Sequence, residues 1–136
     1  FMKSLHTYME RWQGRHPTPY DFFFTFSDVS GEDLSWLYQP WFFEFGYPDV
    51  GIGEVTQNEN QYLVRIEKIG HYPVPVHVKI HFADDSEKAF HLDAGIWKNG
   101  NVEYDLSVPS PVSIQKIELG HKEIPDAGKG NDYWKK

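Results

Sequence analysis

Two hydrophobic periods divide the chain at about residue 48. Up to that point apolar residues recur at every third or fourth position, which is the spacing of one face of an α-helix. Beyond it they recur at every second position, which is the spacing of one face of a β-strand. The change of period predicts an α+β fold, in which a short helical subdomain over residues 1–48 precedes an antiparallel immunoglobulin-like β-sandwich over residues 49–136.

Three helices are predicted in the helical subdomain. The first covers residues 1–13 and stops before Gly14, since glycine readily takes the left-handed conformation that ends many helices. The second begins after Thr18, where Pro19 at the first helical position and Asp21 in a capping-box position form a start signal. This short helix is expected to carry four phenylalanines in one cluster.

The third helix is predicted to run from Leu34 to Gly46. Pro40 lies inside it and cannot donate a hydrogen bond to the carbonyl of Trp36, so a kink or a break is expected there. Four residues on its main apolar stripe are predicted to face the local core: Leu34, Leu37, Trp41 and Phe45. Trp36 and Phe43 fall outside the stripe, and a helix that is apolar nearly all round is usually covered on more than one side.

Six strands, parted by turn residues, are predicted in the second part. Their ranges are 50–57, 62–67, 74–82, 87–93, 101–107 and 112–119. Short strands at this spacing are typical of an antiparallel sandwich. The phase of the alternation slips between Ile114 and Ile117, which predicts a β-bulge in the last strand.

The aromatic residues are concentrated in the helical part. Of the 23 aromatic residues, 15 lie in residues 1–50. Most of them follow the helical period, so core packing or an interface explains them better than stacking on a sugar or a base, which needs exposed rings on a rigid platform. The opening sequence FMKSLHTYM already lies inside an amphipathic pattern, and we therefore expect further polypeptide before it in the native protein.

Charge and cysteine content exclude several classes of function. The formal net charge is −7, with 3 basic against 7 acidic residues up to Asp49 and 10 against 13 after it. Nucleic-acid binding draws most of its affinity from neutralised phosphates, so neither part is suited to it. The chain has no cysteine, which excludes disulfides, thiolate metal ligands and cysteine catalysis. No apolar run approaches the roughly 20 residues of a membrane span.

None of the seven histidines is predicted to be a metal ligand. His77 and His81 share a strand face but lie about 13 Å apart at the rise of a strand, which is too far for two ligands of one zinc ion. His91 and Asp93 form an H-x-D pair that would suit two ligands of a site completed elsewhere. Exposed polar alternation explains that pair equally well.

No catalytic or cofactor-binding residue is predicted either. The sequence lacks the H-E-x-x-H, G-x-S-x-G, P-loop and G-x-G-x-x-G motifs. The adjacent carboxylates Glu32-Asp33 and Asp84-Asp85 are expected at a helix start and in a turn, where capping and turn hydrogen bonds account for them. An alternative function is an independent module that binds a glycan or a peptide, for which Trp97 is the best candidate for an exposed platform.

Several segments of the chain form recognisable motifs. Residues 1–50 contain F-x-x-x-L-x-x-Y-x-x-R, T-P-x-D-F-F, G-E-D-L-S-W-L-Y-x-P-W-F-F and G-Y-P-D-V, and later residues contain I-x-K-I-G-x-x-P-V-P-V and I-x-L-G-x-x-x-I-P-D-A. The first set resembles the end of the catalytic domain of the gluzincin zinc aminopeptidases, the aminopeptidase N-like family, and the second set resembles the β-sandwich domain that follows it. The resemblance spans nearly the whole chain and is most specific over residues 18–50.

The resemblance implies a C-terminal fragment of a zinc-dependent metallo-aminopeptidase, an enzyme that removes N-terminal residues from peptides. The zinc ligands and the general base of that family belong to an H-E-x-x-H motif and a later glutamate, upstream of the part that this chain matches. Zinc is therefore expected in the full-length parent and no cofactor in this chain, which would brace the catalytic domain. A family member that lacks the zinc motif even at full length is a second interpretation.

The same resemblance predicts a surface that meets the upstream catalytic domain. The candidate residues for this inter-domain or self-association surface are Phe1, Trp12, Trp36, Phe43 and Tyr47. If about six aromatic side chains of 150–250 Å² each are left uncovered, the exposed patch reaches roughly 900–1,500 Å². The isolated chain is accordingly predicted to associate with itself through its helical part.

Overall fold

The chain folds into two compact units. A computed structural model describes all of residues 1–136. The first unit comprises Phe1–Glu44 and is helical, and the second comprises Phe45–Lys136 and contains every strand. The α+β fold class predicted from the change of hydrophobic period is confirmed.

The first unit contains three α-helices, α1 (Met2–Trp12), α2 (Pro19–Ser30) and α3 (Ser35–Phe43). Helix α2 begins with the capping box, in which the Asp21 carboxylate accepts hydrogen bonds from the backbone N–H and the hydroxyl of Thr18 at 2.7 Å each. It ends at Gly31, whose φ of 73° is left-handed. These local signals fix both ends of a helix that carries five aromatic side chains.

Helix α3 is shorter than the sequence predicts. It continues through Pro40 and ends at Phe43, because Glu44 is already extended at φ −118° and ψ 154°. The prediction that Phe45 faces the local core is wrong, since this side chain is fully exposed. Trp41 on the same stripe is also 37% exposed, so its placement in the core is wrong as well. The last aromatic residues of α3, Phe42 and Phe43, pack on Phe23 of α2, whereas Phe45 beyond the helix packs on nothing.

The second unit is a sandwich of two antiparallel sheets. One sheet has the strand order β1-β2-β5 and the other has the order β4-β3-β6-β7. The strands are β1 (Val50–Asn58), β2 (Gln61–Lys68), β3 (Val76–Phe82), β4 (Glu87–Leu92), β5 (Glu103–Pro109), β6 (Ile114–Leu119) and β7 (Tyr133–Lys135). A 3₁₀ segment, Ala94–Gly100, connects β4 to β5.

The core of the sandwich lies between the inward faces of both sheets. Burial alternates along β3 as the sequence predicts, with Val76, Val78 and Ile80 buried and the intervening side chains more exposed. The predicted bulge in β6 is confirmed, because the partners of two consecutive β3 residues, His81 and Phe82, are Lys116 and Ile114. A second bulge, in β1 between Ile52 and Val55, was not predicted.

The last strand and the segment before it tie the two sheets together. Trp134 of β7 lies opposite Ile117 and packs against the core. Just before β7, the carbonyl of Asn131 accepts a hydrogen bond from the backbone N–H of Ile52 at 3.0 Å, in the first sheet. The carbonyl of Asp132 accepts one from the N–H of Leu119 at 2.8 Å, in the second.

Candidate functional site

The five residues predicted to form an inter-domain surface are divided between the two units. Phe1, Trp12, Trp36 and Phe43 belong to the helical unit, whereas Tyr47 belongs to the sandwich. Phe1 is 81% exposed, Phe43 is 51% exposed and Tyr47 is 56% exposed, while both tryptophans are half-buried. Each unit therefore presents aromatic surface of its own.

At one end of the helical unit, Phe1 rests on the aromatic contact between α1 and α2. Its ring lies 5.7 Å from that of the buried Phe26, which in turn lies 4.3 Å from the ring of Phe22. Tyr8 of α1 meets Phe22 edge-on at 5.2 Å. The inner face of Phe1 is thus held by the helical core, and its outer face is open.

A second aromatic surface lies between α2 and α3, and we call it the aromatic groove. Phe43 stacks on Tyr20 with ring centres 5.6 Å apart and planes 11° apart, and Tyr20 stacks on Phe24 at 6.5 Å. The groove encloses about 500 Å³. Its lining residues are Tyr20, Phe23, Phe24, Ser27, Gly31, Glu32, Asp33, Ser35, Tyr38, Gln39 and Phe43.

The groove exists because α2 carries aromatic residues on more than one side. Phe22 and Phe26 pack toward α1, while Phe23 packs toward α3, with its ring 4.7 Å from that of Tyr38. Phe24 points away from both contacts and remains 68% exposed. Tyr20 and Phe24 were not among the predicted surface residues, although the nearly continuous aromatic run of α2 was a signal for them.

The charges around the groove are acidic. Glu32 and Asp33 line one end, and the helical unit as a whole has 3 basic against 6 acidic residues. The backbone N–H of Ser35 donates to the Asp33 carboxylate at 2.8 Å and lowers the pKa of this exposed side chain, so it stays ionised. Burial raises the pKa of Tyr38, which therefore stays neutral. Such a groove is suited to an apolar segment with basic residues at its edge.

The carboxylate pairs considered in the sequence have structural hydrogen bonds. Asp33 accepts from the N–H of Ser35, the first residue of α3, and Asp84 accepts from the N–H and the hydroxyl of Ser86 in the turn between β3 and β4. Asp93, considered with His91 as a ligand pair, instead accepts from the N–H of Gly95 at 2.6 Å and caps the 3₁₀ segment. Their local bonds are those of caps and turns.

The suggestion that Trp97 is an exposed platform is wrong. Its side chain is only 2% exposed, and its indole N–H donates to the carbonyl of Val74 at 2.8 Å inside the sandwich core. Tyr62, another aromatic residue of the sandwich, is 3% exposed. The glycan-binding interpretation thereby loses its main candidate platform.

Histidines lie at both ends of the outer face of the second sheet, whose strand order is β4-β3-β6-β7. At one end, both ring nitrogens of His81 face carboxylates, Nδ1 at 2.9 Å from Glu87 and Nε2 at 2.6 Å from Glu118. At the other end, the rings of His91 and His121 lie 4.2 Å and 4.7 Å from that of His77. No three His, Asp or Glu side chains are arranged as ligands of one metal ion in this conformation.

An acidic cluster of Asp49, Asp126 and Asp132 lies beside the last strand. Asp132 is 5% exposed, and one of its carboxylate oxygens has no hydrogen-bond partner. Burial, followed by the charge of Asp126 and a side-chain hydrogen bond with it, raises the pKa of Asp132 to about 6. Lys129 opposes the shift, and the charge of Asp49 adds a smaller contribution to it. This cluster places negative charge where the C-terminal segment joins both sheets.

None of the helices combines the length and the apolar character that crossing a membrane requires. The sequence matches no family profile and no curated relative. A solved structure with a similar fold is that of aminopeptidase A of Legionella pneumophila, in complex with aspartic acid. The similarity has a TM-score of 0.59 and 19% sequence identity, and it covers 85% of this chain and 14% of that chain. At this identity the likeness is one of fold, and it relates this chain to a small part of an aminopeptidase.

Proposed function

We propose that this chain is the C-terminal, non-catalytic part of a zinc-dependent aminopeptidase, and that it braces the catalytic domain of the same polypeptide. The observation that carries the proposal is the fold, which corresponds over 85% of the chain to part of an aminopeptidase. The segments over residues 18–50 that resemble the gluzincin family support it independently. A β-sandwich after a helical end piece is the order that this resemblance implies.

In this proposal the hydrolysis of peptides takes place outside the chain. The zinc ion, the general base and the groups that bind the peptide's amino terminus belong to the preceding domain, and no residue between Phe1 and Lys136 is assigned to them. The chain contributes an apolar surface against which that domain packs. Its effect on catalysis is therefore an effect on the amount and lifetime of folded enzyme.

The aromatic groove and the open face of Phe1 are the proposed contacts with the catalytic domain. Their exposure supports this assignment, because monomeric proteins rarely leave large contiguous apolar patches uncovered. Trp12, Trp36 and Tyr47 are proposed as further contacts. The acidic end of the groove calls for basic residues on the opposing surface.

The coding sequence that precedes Phe1 provides the first test. We expect it to encode an H-E-x-x-H motif followed by a glutamate, and we expect the longer protein to contain zinc and to hydrolyse aminoacyl nitroanilides. An intact reading frame that encodes the preceding domain without the motif would support the degenerate, zinc-less interpretation instead. A preceding sequence unrelated to peptidases would overturn both interpretations.

The bracing role has a separate test in the longer protein. Phe24→Gln removes an exposed ring of the groove and should lower the thermal midpoint and shorten the half-life at 37 °C, with kcat/KM per folded molecule unchanged. Val102→Gln, at a similarly exposed apolar position of the sandwich, is the control and should have little effect. Equal behaviour of the two variants would contradict the bracing role.

A further inference from the structure

Three histidines from separate segments meet at one end of the outer face of the second sheet, and we call them the histidine cluster. His77 of β3 lies directly opposite His91 of β4 in the strand register. His121 follows β6, and its position is set by a 3.1 Å hydrogen bond from the N–H of Gly120 to the carbonyl of His77. His91 and His121 are exposed and His77 is half-buried.

We propose that His77 and His91 form a binding site for a divalent transition-metal ion of the zinc type, with His121 as a third ligand that moves in. Cross-strand partners have Cβ atoms about 4.5–5.5 Å apart, which lets two side chains reach one ion. Two imidazoles that share a metal with bonds near 2 Å have ring centres roughly 5 Å apart. The observed separation is 4.2 Å, so the two rings must rotate apart before both can bind one ion.

The present rotamers pack the rings against one another. His77 meets His91 at 61° and His121 at 26°, so the three sets of nitrogens do not converge. Strand pairing fixes the backbone positions of His77 and His91, and exposed side chains such as His91 and His121 change rotamer on the ps–ns scale. Metal binding therefore requires only side-chain movement.

Protons compete with a metal ion for the nitrogens of the cluster, because a neutral imidazole is the form that ligates metals. The nearby Glu123 carboxylate offsets part of the charge that a divalent ion brings to the site.

His121 is the weaker ligand of the three. Its Nδ1 accepts a hydrogen bond from the backbone N–H of Glu123 at 3.3 Å, and that bond must be exchanged before the ring turns toward a metal. His81 is not available, because both of its nitrogens face carboxylates at the other end of the sheet. All the proposed ligands are therefore imidazole nitrogens, which favour zinc, nickel or copper over magnesium or calcium.

The test is titration of the 136-residue chain with ZnCl₂ at pH 7.5 by calorimetry. We expect one saturable site of micromolar affinity, with no heat of binding from MgCl₂. His91→Gln should weaken zinc binding by at least about tenfold, because a two-imidazole site loses half of its ligands. His121→Gln should weaken it by a smaller factor, and His16→Gln, at an exposed histidine of the helical unit, should leave it unchanged.

Histidine ring signals in NMR spectra locate the ion independently of affinity. The signals of His77 and His91 should shift together with zinc, and the shifts should disappear at pH 5 as protons displace the metal. The proposal is overturned if the chain shows no saturable zinc binding below millimolar concentration. It is equally overturned if folded His91→Gln binds as tightly as the parent chain, or if His16→Gln weakens binding as much as His91→Gln does.

Discussion

At the scale of single residues, Trp97 shows how far sequence context can mislead. Glycine at position 95 and the Asn99-Gly100 pair suggested a surface loop, and an aromatic residue in a surface loop suggested a binding platform. The loop is instead a 3₁₀ segment whose tryptophan side chain points into the core, where the indole N–H donates a hydrogen bond to the carbonyl of Val74. A partner that is distant in sequence cannot be read from local composition.

The inward position of Trp97 leads to a prediction on stability. Trp97→Phe keeps a ring in the core but leaves the carbonyl of Val74 without its buried donor and removes part of the packed volume. We expect the sandwich to lose about 1–3 kcal/mol of unfolding free energy. Urea denaturation followed by circular dichroism measures this loss, and an unchanged midpoint would show that the indole is not part of the core.

The buried Asp132 gives a prediction on pH dependence. Its pKa in the folded chain is about 6, above the ordinary 3.8, so the folded state favours the protonated carboxyl. The stability that this proton provides is present at low pH and is lost as the pH rises from about 4 through 6. Asp132→Asn removes the charge and should raise the unfolding free energy at pH 8 by about 1–3 kcal/mol.

The pH profile separates this effect from a general change in charge. At pH 4 the Asp132→Asn variant and the parent chain should differ little, because both carry a neutral side chain at this position in the folded state. Asp85→Asn, in the exposed turn after β3, makes the same change of charge without burial and serves as the control. A gain from Asp132→Asn that is equal at pH 4 and pH 8 would contradict the role of the ionised carboxylate.

At the scale of elements, capping signals and periodicity predicted most of the helices and strands, and the errors lie at their ends. The α2 start was predictable because Thr18 and Asp21 act within one turn. The end of α3 was not, since it depends on whether Phe45 finds a core to pack on. Strand β7 was missed because three residues are too few for a period, and only its pairing with β6 defines it.

One joint between elements depends on a glycine. The N–H of Gly70, just after β2, donates a hydrogen bond to the carbonyl of Asp49 at 2.8 Å. A Cβ atom placed on Gly70 would overlap the carbonyl oxygen of Tyr47 and would lie 2.6 Å from the backbone nitrogen of Asp49. Both of these are backbone atoms, so a change of side-chain rotamer cannot relieve the clash. We expect Gly70→Ala to destabilise the sandwich by about 1–3 kcal/mol.

A second glycine serves as the control for this prediction. A Cβ on Gly130 would meet no atom within 4 Å, and Gly130→Ala should change the unfolding free energy by less than about 0.5 kcal/mol. Chemical denaturation of both variants under the same conditions provides the comparison. Similar denaturation midpoints for the two variants would show that the backbone around Tyr47 and Asp49 moves away from position 70 at little energetic cost.

At the scale of the whole molecule, the change of hydrophobic period was enough to predict an α+β fold, but not which aromatic residues stay exposed. Periodicity gives the direction of each side chain around its helix, whereas exposure depends on how many neighbours pack around that helix. Phe43 was expected at a surface and is exposed, while Trp36 was expected there and is half-buried. Phe24 was not expected, and its exposure creates one wall of the aromatic groove.

The exposed aromatic surface predicts how the isolated chain behaves in solution. Phe1, Phe24 and Phe42 are 81%, 68% and 64% exposed in a unit of 44 residues, and burying each such ring removes about 150–250 Å² from water. We expect sedimentation velocity to show concentration-dependent self-association at high micromolar concentration. Phe24→Gln should shift the equilibrium toward monomer, because it removes a ring that packs on no residue of the core, whereas Val102→Gln in the sandwich should leave it unchanged. A chain that stays monomeric at every concentration would show that the aromatic groove is stable when exposed to water. The exposure of the groove would then no longer support a contact with a catalytic domain.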